Sequence, residues 1–383
     1  MTPGPTPVPE ETLLEMAQPV FYHRSPQFRQ LLAEVTGDLQ YVFCTKNPVF
    51  TLACSGTGGM EAAIASSLAA GSKAICAIAG RWGERWRNIC KAFGVEVVSV
   101  IAPYGQPVSP DAVAAALAEH PDAVAVCATL SETATGVRND IAAFGKITSA
   151  TEAILIVDSI SGLGVVECRT DDWGIDINVT GSQKALMLPP GLAFASVSPK
   201  AWQRIDANTQ ARAFYFDLKR YRDALKNFDT PFTPALTLVR ALKVSLRRLR
   251  EEGIENIWAR QARIASATRA AVMAMGLELF ATQPADGLTV FKVPPGIDGT
   301  ALVGNVEKRY GVRLVGGQDT LKGKIVRIGH MGYIDQWDVL ATVASLELTL
   351  LEMGYELTPG VGVAAFQKAL AEMALQGTQR KDG

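Results

Sequence analysis

The chain has 383 residues, 48% of them hydrophobic and 20% charged, the balance of an ordinary globular protein long enough for one large domain and a smaller one. A formal net charge of −1, with no basic cluster, argues against nucleic acid as the main partner. No apolar run reaches bilayer length and the Pro-rich start lacks the basic and apolar regions of a signal peptide, so no membrane partner is expected and the cytoplasm is the expected location.

Residues 1–20 read as an extended Pro-rich arm. Ser25-Pro26 opens a helical pattern through Phe28, Leu31, Leu32 and Val35, with Gly37 as its stop. A short strand over 50–54 leads into Ser55-Gly56-Thr57-Gly58-Gly59, a glycine-rich turn that opens an alanine-rich helix. Strand and helix then alternate: strand 74–79, helix 83–93 stopped by Gly94, strand 95–101 and helix 110–119. Further apolar strands follow at 123–128, 154–157, 175–179 and 192–197. This alternation predicts an α/β fold, a mainly parallel sheet covered on both faces, with ligands at the carboxyl ends of the strands. After Pro231 and Pro234 an arginine-rich helix runs to Gly253, and a second helix covers 254–275 before Gly276. Strands at 277–280, 288–293 and 324–328 around a helix at 300–310 make a smaller α+β domain. The expected division is an arm (1–20), a large domain (21–255) and a small one (256–383), with a disordered tail from about Gly377.

The unusual residues gather at the strand ends. Lys184, in Gly181-Ser182-Gln183-Lys184-Ala185-Leu186-Met187-Leu188-Pro189-Pro190-Gly191, stands between two apolar runs rather than among charges. An ammonium against apolar walls is costly to keep charged, so its pKa falls and the free amine can form a Schiff base with a carbonyl compound or with pyridoxal 5′-phosphate. The plain alternative is a strand-end lysine reaching to solvent. Thr57, Gly58 and Gly59 begin a helix, where free N–H groups and the dipole make an anion site, or else a tight turn without a ligand. Asp158 ends the run Ile154-Leu155-Ile156-Val157, where a carboxylate needs a partner such as a protonated pyridine nitrogen; an N-cap or metal ligand are the alternatives. Trp82 follows an apolar strand and suits stacking on a flat ring or core packing. Thr133 follows another strand, placed to donate to a ring hydroxyl. Arg327, inside Ile325-Val326-Arg327-Ile328, demands an anion, either a substrate carboxylate or a structural ion pair. Six cysteines lack Cys-x-x-Cys spacing and three histidines are unpaired in sequence, so free thiols are expected, with neither a metal centre nor a histidine-dependent triad.

Ser-Gly-Thr-Gly-Gly-Met-Glu-Ala, Gly-Arg-Trp-Gly-Glu-Arg-Trp, Glu-Thr-Ala-Thr-Gly-Val, Val-Asp-Ser-Ile-Ser-Gly-Leu-Gly, Gly-Ser-Gln-Lys-Ala-Leu-Met-Leu-Pro-Pro-Gly and Val-Arg-Ile-Gly-His-Met-Gly resemble the class V aminotransferases. Within that class they are most similar to the alanine–glyoxylate and serine–glyoxylate branch, over nearly the whole chain. The resemblance implies the fold type I architecture of pyridoxal-phosphate enzymes and a transaminase acting on a small amino acid and a small 2-oxo acid. It makes Lys184 the Schiff-base lysine, Asp158 the pyridine-nitrogen partner, Trp82 the stacking residue and Thr133 a contact to the ring hydroxyl. Thr57, Gly58, Gly59 and Gln183 take the phosphate, and Arg327 takes the α-carboxylate. It also implies a homodimer, with a tyrosine and a threonine reaching the phosphate from the second subunit. In Phe228-Asp229-Thr230-Pro231-Phe232-Thr233-Pro234 Thr233 fits the threonine, whereas no tyrosine stands where the pattern has one. The pocket beside Arg327 is then lined partly by the N-terminal arm. A lyase or cysteine desulfurase of the same fold, a Ser182–Lys184 hydrolase and a non-catalytic binding protein are the competing readings.

Overall fold

The computed structural model describes residues 1–379. In chain order its strands are β1 (Val49–Leu52), β2 (Lys73–Ile78), β3 (Glu96–Ile101), β4 (Ala123–Thr129), β5 (Ser131–Glu132) and β6 (Val137–Arg138). They continue as β7 (Ile154–Asp158), β8 (Ile177–Gly181), β9 (Ala193–Val197), β10 (Leu288–Lys292), β11 (Val315–Gly316) and β12 (Ile325–Gly329). Seven of them form one sheet in the order β1-β9-β8-β7-β4-β2-β3. Every neighbouring pair within β8-β7-β4-β2-β3 is parallel, while β9 runs antiparallel to both β8 and β1. The mainly parallel sheet predicted from the alternation is present. β9 departs from it because only the lysine turn joins it to β8, too short a connection for a parallel crossover.

Period-two alternation explains why both faces are covered. Ile75, Ala77, Val126, Ala128, Leu155 and Val157 enter one apolar core, and Cys76, Ile78, Ala125, Cys127, Ile154 and Ile156 enter another. A third core, built around Ile264, Phe291, Val326, Ile328, Val339 and Leu346, belongs to the three-stranded sheet β10-β12-β11 and its helices. Met1 packs against this third core, so the first residue of the chain is anchored beside the last strands.

Several expectations change. The arm is extended only up to Pro9, and Glu10–Met16 is a helix. Its acidic first turn suits the helix dipole, and Glu11 and Glu15 dock on Arg248 (2.7 Å) and Arg240 (2.9 Å) of the arginine-rich helix Leu236–Glu252. The helix Pro26–Phe43 continues through Gly37 because Leu39, Val42 and Phe43 extend its buried stripe. Residues 277–280 contribute only the bridge Leu279↔Phe291, since the chain turns away to pair Pro284 with Val137. Helices Ile141–Ser149, Pro199–Ala207 and Leu218–Leu225 and the hairpin β5-β6 add to the expected elements. At the far end, Val361–Gln379 is helical, and the remainder of the expected disordered tail, 380–383, lies outside the described residues. No helix among the described residues is long and apolar enough to cross a membrane.

Candidate active site

Parallel pairing puts the chemistry at one edge. Asp158, the last residue of β7, stands opposite Thr129 at the end of β4 and Val179 near the end of β8. The chain beyond β4 therefore delivers Thr133, the chain beyond β2 delivers Trp82, and the turn after β8 delivers Gln183 and Lys184 to the same edge. Arg327 arrives from the other sheet, on β12. A cavity of about 390 Å³ is lined by Lys184, Asp158, Trp82, Thr133, Gln183 and Arg327, with Thr57 among its further walls. Two more open grooves, of about 660 and 920 Å³, run along the arginine-rich helix, and neither contains Lys184 or Asp158.

The electrostatics of this cavity are unusual. Burial lowers the Lys184 pKa to about 8, with Asp158 opposing the shift and Arg327 adding to it. Asp158 is buried and its pKa is raised to about 6 by desolvation, against the backbone N–H of Ile160 and the charges of Arg85 and Lys184. The Ile160 N–H donates to it at 2.8 Å, and no lysine or arginine among the described residues lies within ion-pair distance. Lys184 Nζ donates to the carbonyl of Pro3, while Thr6 donates its N–H to Gln183 O (3.1 Å) and its hydroxyl to Lys184 O (2.8 Å). Gly4 has φ +127, and a Cβ there would lie 2.4 Å from Lys184 Nζ, so only glycine lets the arm come this close.

Trp82 Nε1 donates to Thr133 Oγ1 at 2.7 Å, which orients both side chains and leaves the threonine O–H free to donate. Arg327 donates from Nη1 to Thr133 O (3.0 Å) and from Nε and Nη2 to Gly316 O (3.0 and 2.8 Å). Three of its five N–H groups are thus engaged and two remain for a ligand. Burial brings its pKa down to about 10 against the opposing charge of Glu132.

At the glycine turn, Thr57 lines the cavity, whereas Gly58 and Gly59 allow close packing: a Cβ on either would come within 2.8 Å of Cys54 or Val179. Their N–H groups donate to Ser55 O (2.8 and 3.4 Å), so the amides of Gly56 and Thr57 are the ones without a backbone partner. Thr233 lines a separate crevice with Tyr221, Thr230 and Phe232 and does not join the cavity of its own chain.

Two further residues belong to the site. Glu132, wholly buried, accepts from the N–H groups of Trp82 (2.9 Å), Gly83 (3.2 Å) and Ala134 (3.1 Å). It thereby caps the helix Arg81–Ala92, whose Gly80 cap residue has no side chain to do so. Desolvation raises its pKa to about 7, against those three N–H groups. Arg85 lies on the same helix and lines the cavity. Neither was singled out from the sequence, where Arg85 stands three residues beyond Trp82 and Glu132 directly before Thr133.

These residues fit pyridoxal phosphate. Asp158 is a buried carboxylate that lacks a cation, as a protonated pyridine nitrogen requires. Ser131 Oγ and Gln183 Oε1 are buried without hydrogen-bond partners among the described residues, and both residues line the cavity. The free amides of Gly56 and Thr57 suit a phosphate. Lys184 supplies an amine of lowered basicity beside them.

Residues 10–341 match the family model described as Aminotransferase class-V. The chain is 43% identical to the soluble hydrogenase small subunit of Synechococcus sp. (strain PCC 6716), over 97% of this chain and 98% of that one. It is 38% identical to the L-aspartate–glyoxylate aminotransferase of Paracoccus denitrificans (strain Pd 1222), over 96% and 94% of the two chains. Its fold matches the crystal structure of ureidoglycine–glyoxylate aminotransferase from Bacillus subtilis with a TM-score of 0.92, at 29% identity and covering 96% and 97% of the chains. A buried lysine, an unpaired aspartate, a tryptophan and an arginine around one cavity agree with the family match rather than with the hydrogenase name. The chain belongs to the class V aminotransferases and is a pyridoxal-phosphate-dependent transaminase.

Proposed function

We propose that this transaminase moves the amino group of a small amino acid, alanine or serine, to a small 2-oxo acid, glyoxylate or pyruvate. The observation that carries the reading is the cavity of about 390 Å³ shared by Lys184, Asp158 and Arg327. Glyoxylate is named for both aminotransferase relatives above.

The cofactor, when bound, supplies an aldehyde that takes up the amino group and a ring that accepts electron density. Around it the chain's residues divide the work. The amides of Gly56 and Thr57 and the Nε2 of Gln183 would hold the phosphate, with Gly58 and Gly59 letting that turn pack closely. Asp158 would present its carboxylate to the ring nitrogen, and Trp82, held by its bond to Thr133, would stack on the ring. The Thr133 hydroxyl, accepting from Trp82, would have its own proton free for the ring oxygen. Arg327 clamps the substrate α-carboxylate with its two remaining N–H groups and so fixes which Cα bond faces Lys184. The neutral amine of Lys184 would serve as the base that takes the proton from the substrate Cα. Pro3 and Gly4 wall the pocket and exclude water from that amine.

A dicarboxylate donor is the second reading. The charge of Arg81 acts on Arg327 through space, and the Paracoccus relative is named for L-aspartate. We propose that Thr233 serves the cofactor site of a second copy, in a cytoplasmic homodimer, because in its own chain it is exposed and lines a crevice separate from the cavity. Single-turnover absorbance with alanine, serine, glycine and aspartate, followed by glyoxylate and pyruvate, tests the substrate class. Rapid conversion with alanine or serine supports the reading. Conversion with aspartate alone transfers the assignment to the dicarboxylate, and release of pyruvate and ammonia from serine without a stored amino group points to a lyase.

A further inference from the structure

We infer that Arg85 is the ion-pair partner of the cofactor phosphate. The assignment rests on the proposed cofactor site and adds a residue to it. Arg85 stands on the helix Arg81–Ala92, three residues beyond Trp82 and therefore on the same face. Its guanidinium lies over the Trp82 ring, 4.3 Å from the ring centre, and its Nη1 donates to Thr57 Oγ1 at 2.9 Å. Two helices thus converge on one point: the free amides of Gly56 and Thr57 from one, a fixed cation from the other.

What sets Arg85 apart is its lack of a counter-charge. On the same helix Arg81 pairs with Asp319 at 3.0 Å and Arg87 with Glu84 at 3.8 Å. Arg85, which is half-buried, has no carboxylate within ion-pair distance among the described residues, and Asp158 acts on it only through space. Burial lowers its pKa, as expected of a cation that has lost water without gaining an anion. A partly desolvated guanidinium, stacked and therefore of limited mobility, is an anion receptor. The amides at the helix start carry only about half an elementary charge, so a phosphate dianion there needs a full cation as well. Thr57, bonded to Arg85 and placed at the helix start, is shared by both.

The test compares two ligands on the apoprotein: pyridoxal 5′-phosphate and pyridoxal, which lacks the phosphate. Equilibrium affinities are measured for wild type, Arg85→Met, Arg85→Gln and Arg85→Lys. The expected result is a phosphate preference in wild type that falls at least tenfold in Arg85→Met and Arg85→Gln, with pyridoxal affinity within twofold of wild type. Arg85→Lys keeps an intermediate preference. The inference is overturned if the substitutions weaken both ligands equally, which is the signature of a packing role through Trp82, or if the preference is unchanged. Wild type that captures neither ligand overturns the cofactor site itself, whereas wild type that captures both with unchanged preference in the variants overturns only the role of Arg85.

Discussion

Lys184 is the residue whose environment matters most. With a pKa of about 8, roughly a tenth of it is neutral at pH 7, against less than one part in a thousand for an ordinary lysine. Only the neutral amine attacks an aldehyde, so capture of pyridoxal phosphate by the apoprotein should quicken about fivefold between pH 7 and 8 and level off above 9. A rate still climbing nearly tenfold between pH 8 and 9 would show an unperturbed lysine. Asp158→Asn removes the charge facing the ring nitrogen while keeping the shape. We expect kcat to fall by about 100- to 1,000-fold, on the scale of losing one preorganised electrostatic group, with cofactor affinity within tenfold. Lys184, Asp158 and Arg327 were legible in the sequence because each interrupts an apolar run. Arg85 was not, since an arginine in the polar segment Arg81-Trp82-Gly83-Glu84-Arg85-Trp86-Arg87 reads as a solvated face until its neighbour Thr57, 28 residues away in sequence, is placed beside it.

At the scale of elements, glycine carries opposite meanings. Gly37 lies inside the helix Pro26–Phe43, and a Cβ there would meet nothing within 4 Å. Gly37→Ala should raise stability by about 0.5–1 kcal/mol in urea unfolding, with activity unchanged. Gly4→Ala should do the reverse, because its Cβ would collide with Lys184; we expect the arm to be displaced and cofactor capture to slow, read by absorbance during reconstitution. Gly37 misled the sequence reading for a physical reason: a glycine ends a helix only where the chain must turn left-handed, and here that position is Cys44 at φ 51. The helix Glu10–Met16 was hidden in a segment where prolines dominate the composition, and its docking partners lie more than two hundred residues away.

Across the whole molecule, alternation of apolar strands and helices was enough to predict the parallel sheet and the edge where ligands gather. It did not show that the first six residues tie the three-stranded sheet to the seven-stranded one, with Met1 O accepting from Gly329 N (3.0 Å) and Thr6 bonded to the lysine turn. Nor did it reveal the role of His330, buried at the end of β12 with Nε2 3.0 Å from Thr289 Oγ1 on β10. Burial lowers its pKa from 6.5 to about 3, so between those values the unfolded chain binds more protons than the folded one. Stability from this group is therefore complete above about pH 6.5 and is lost as pH falls, by up to about 1.4 kcal/mol per unit. Glu132, raised to about 7, acts in the opposite sense, its contribution being lost as pH rises from the ordinary carboxylate range through 7. His330→Gln should flatten the acid limb relative to wild type in urea titrations at pH 4, 5, 6 and 7; parallel profiles would mean that the imidazole is not held neutral.

The account depends above all on the attachment of pyridoxal phosphate to one amine. Borohydride reduction of the reconstituted protein, followed by peptide mapping by mass spectrometry, tests this directly. The predicted result is one pyridoxyl group per chain, on Lys184. A label on another lysine with Lys184 unmodified, or no stoichiometric label at all, would contradict it.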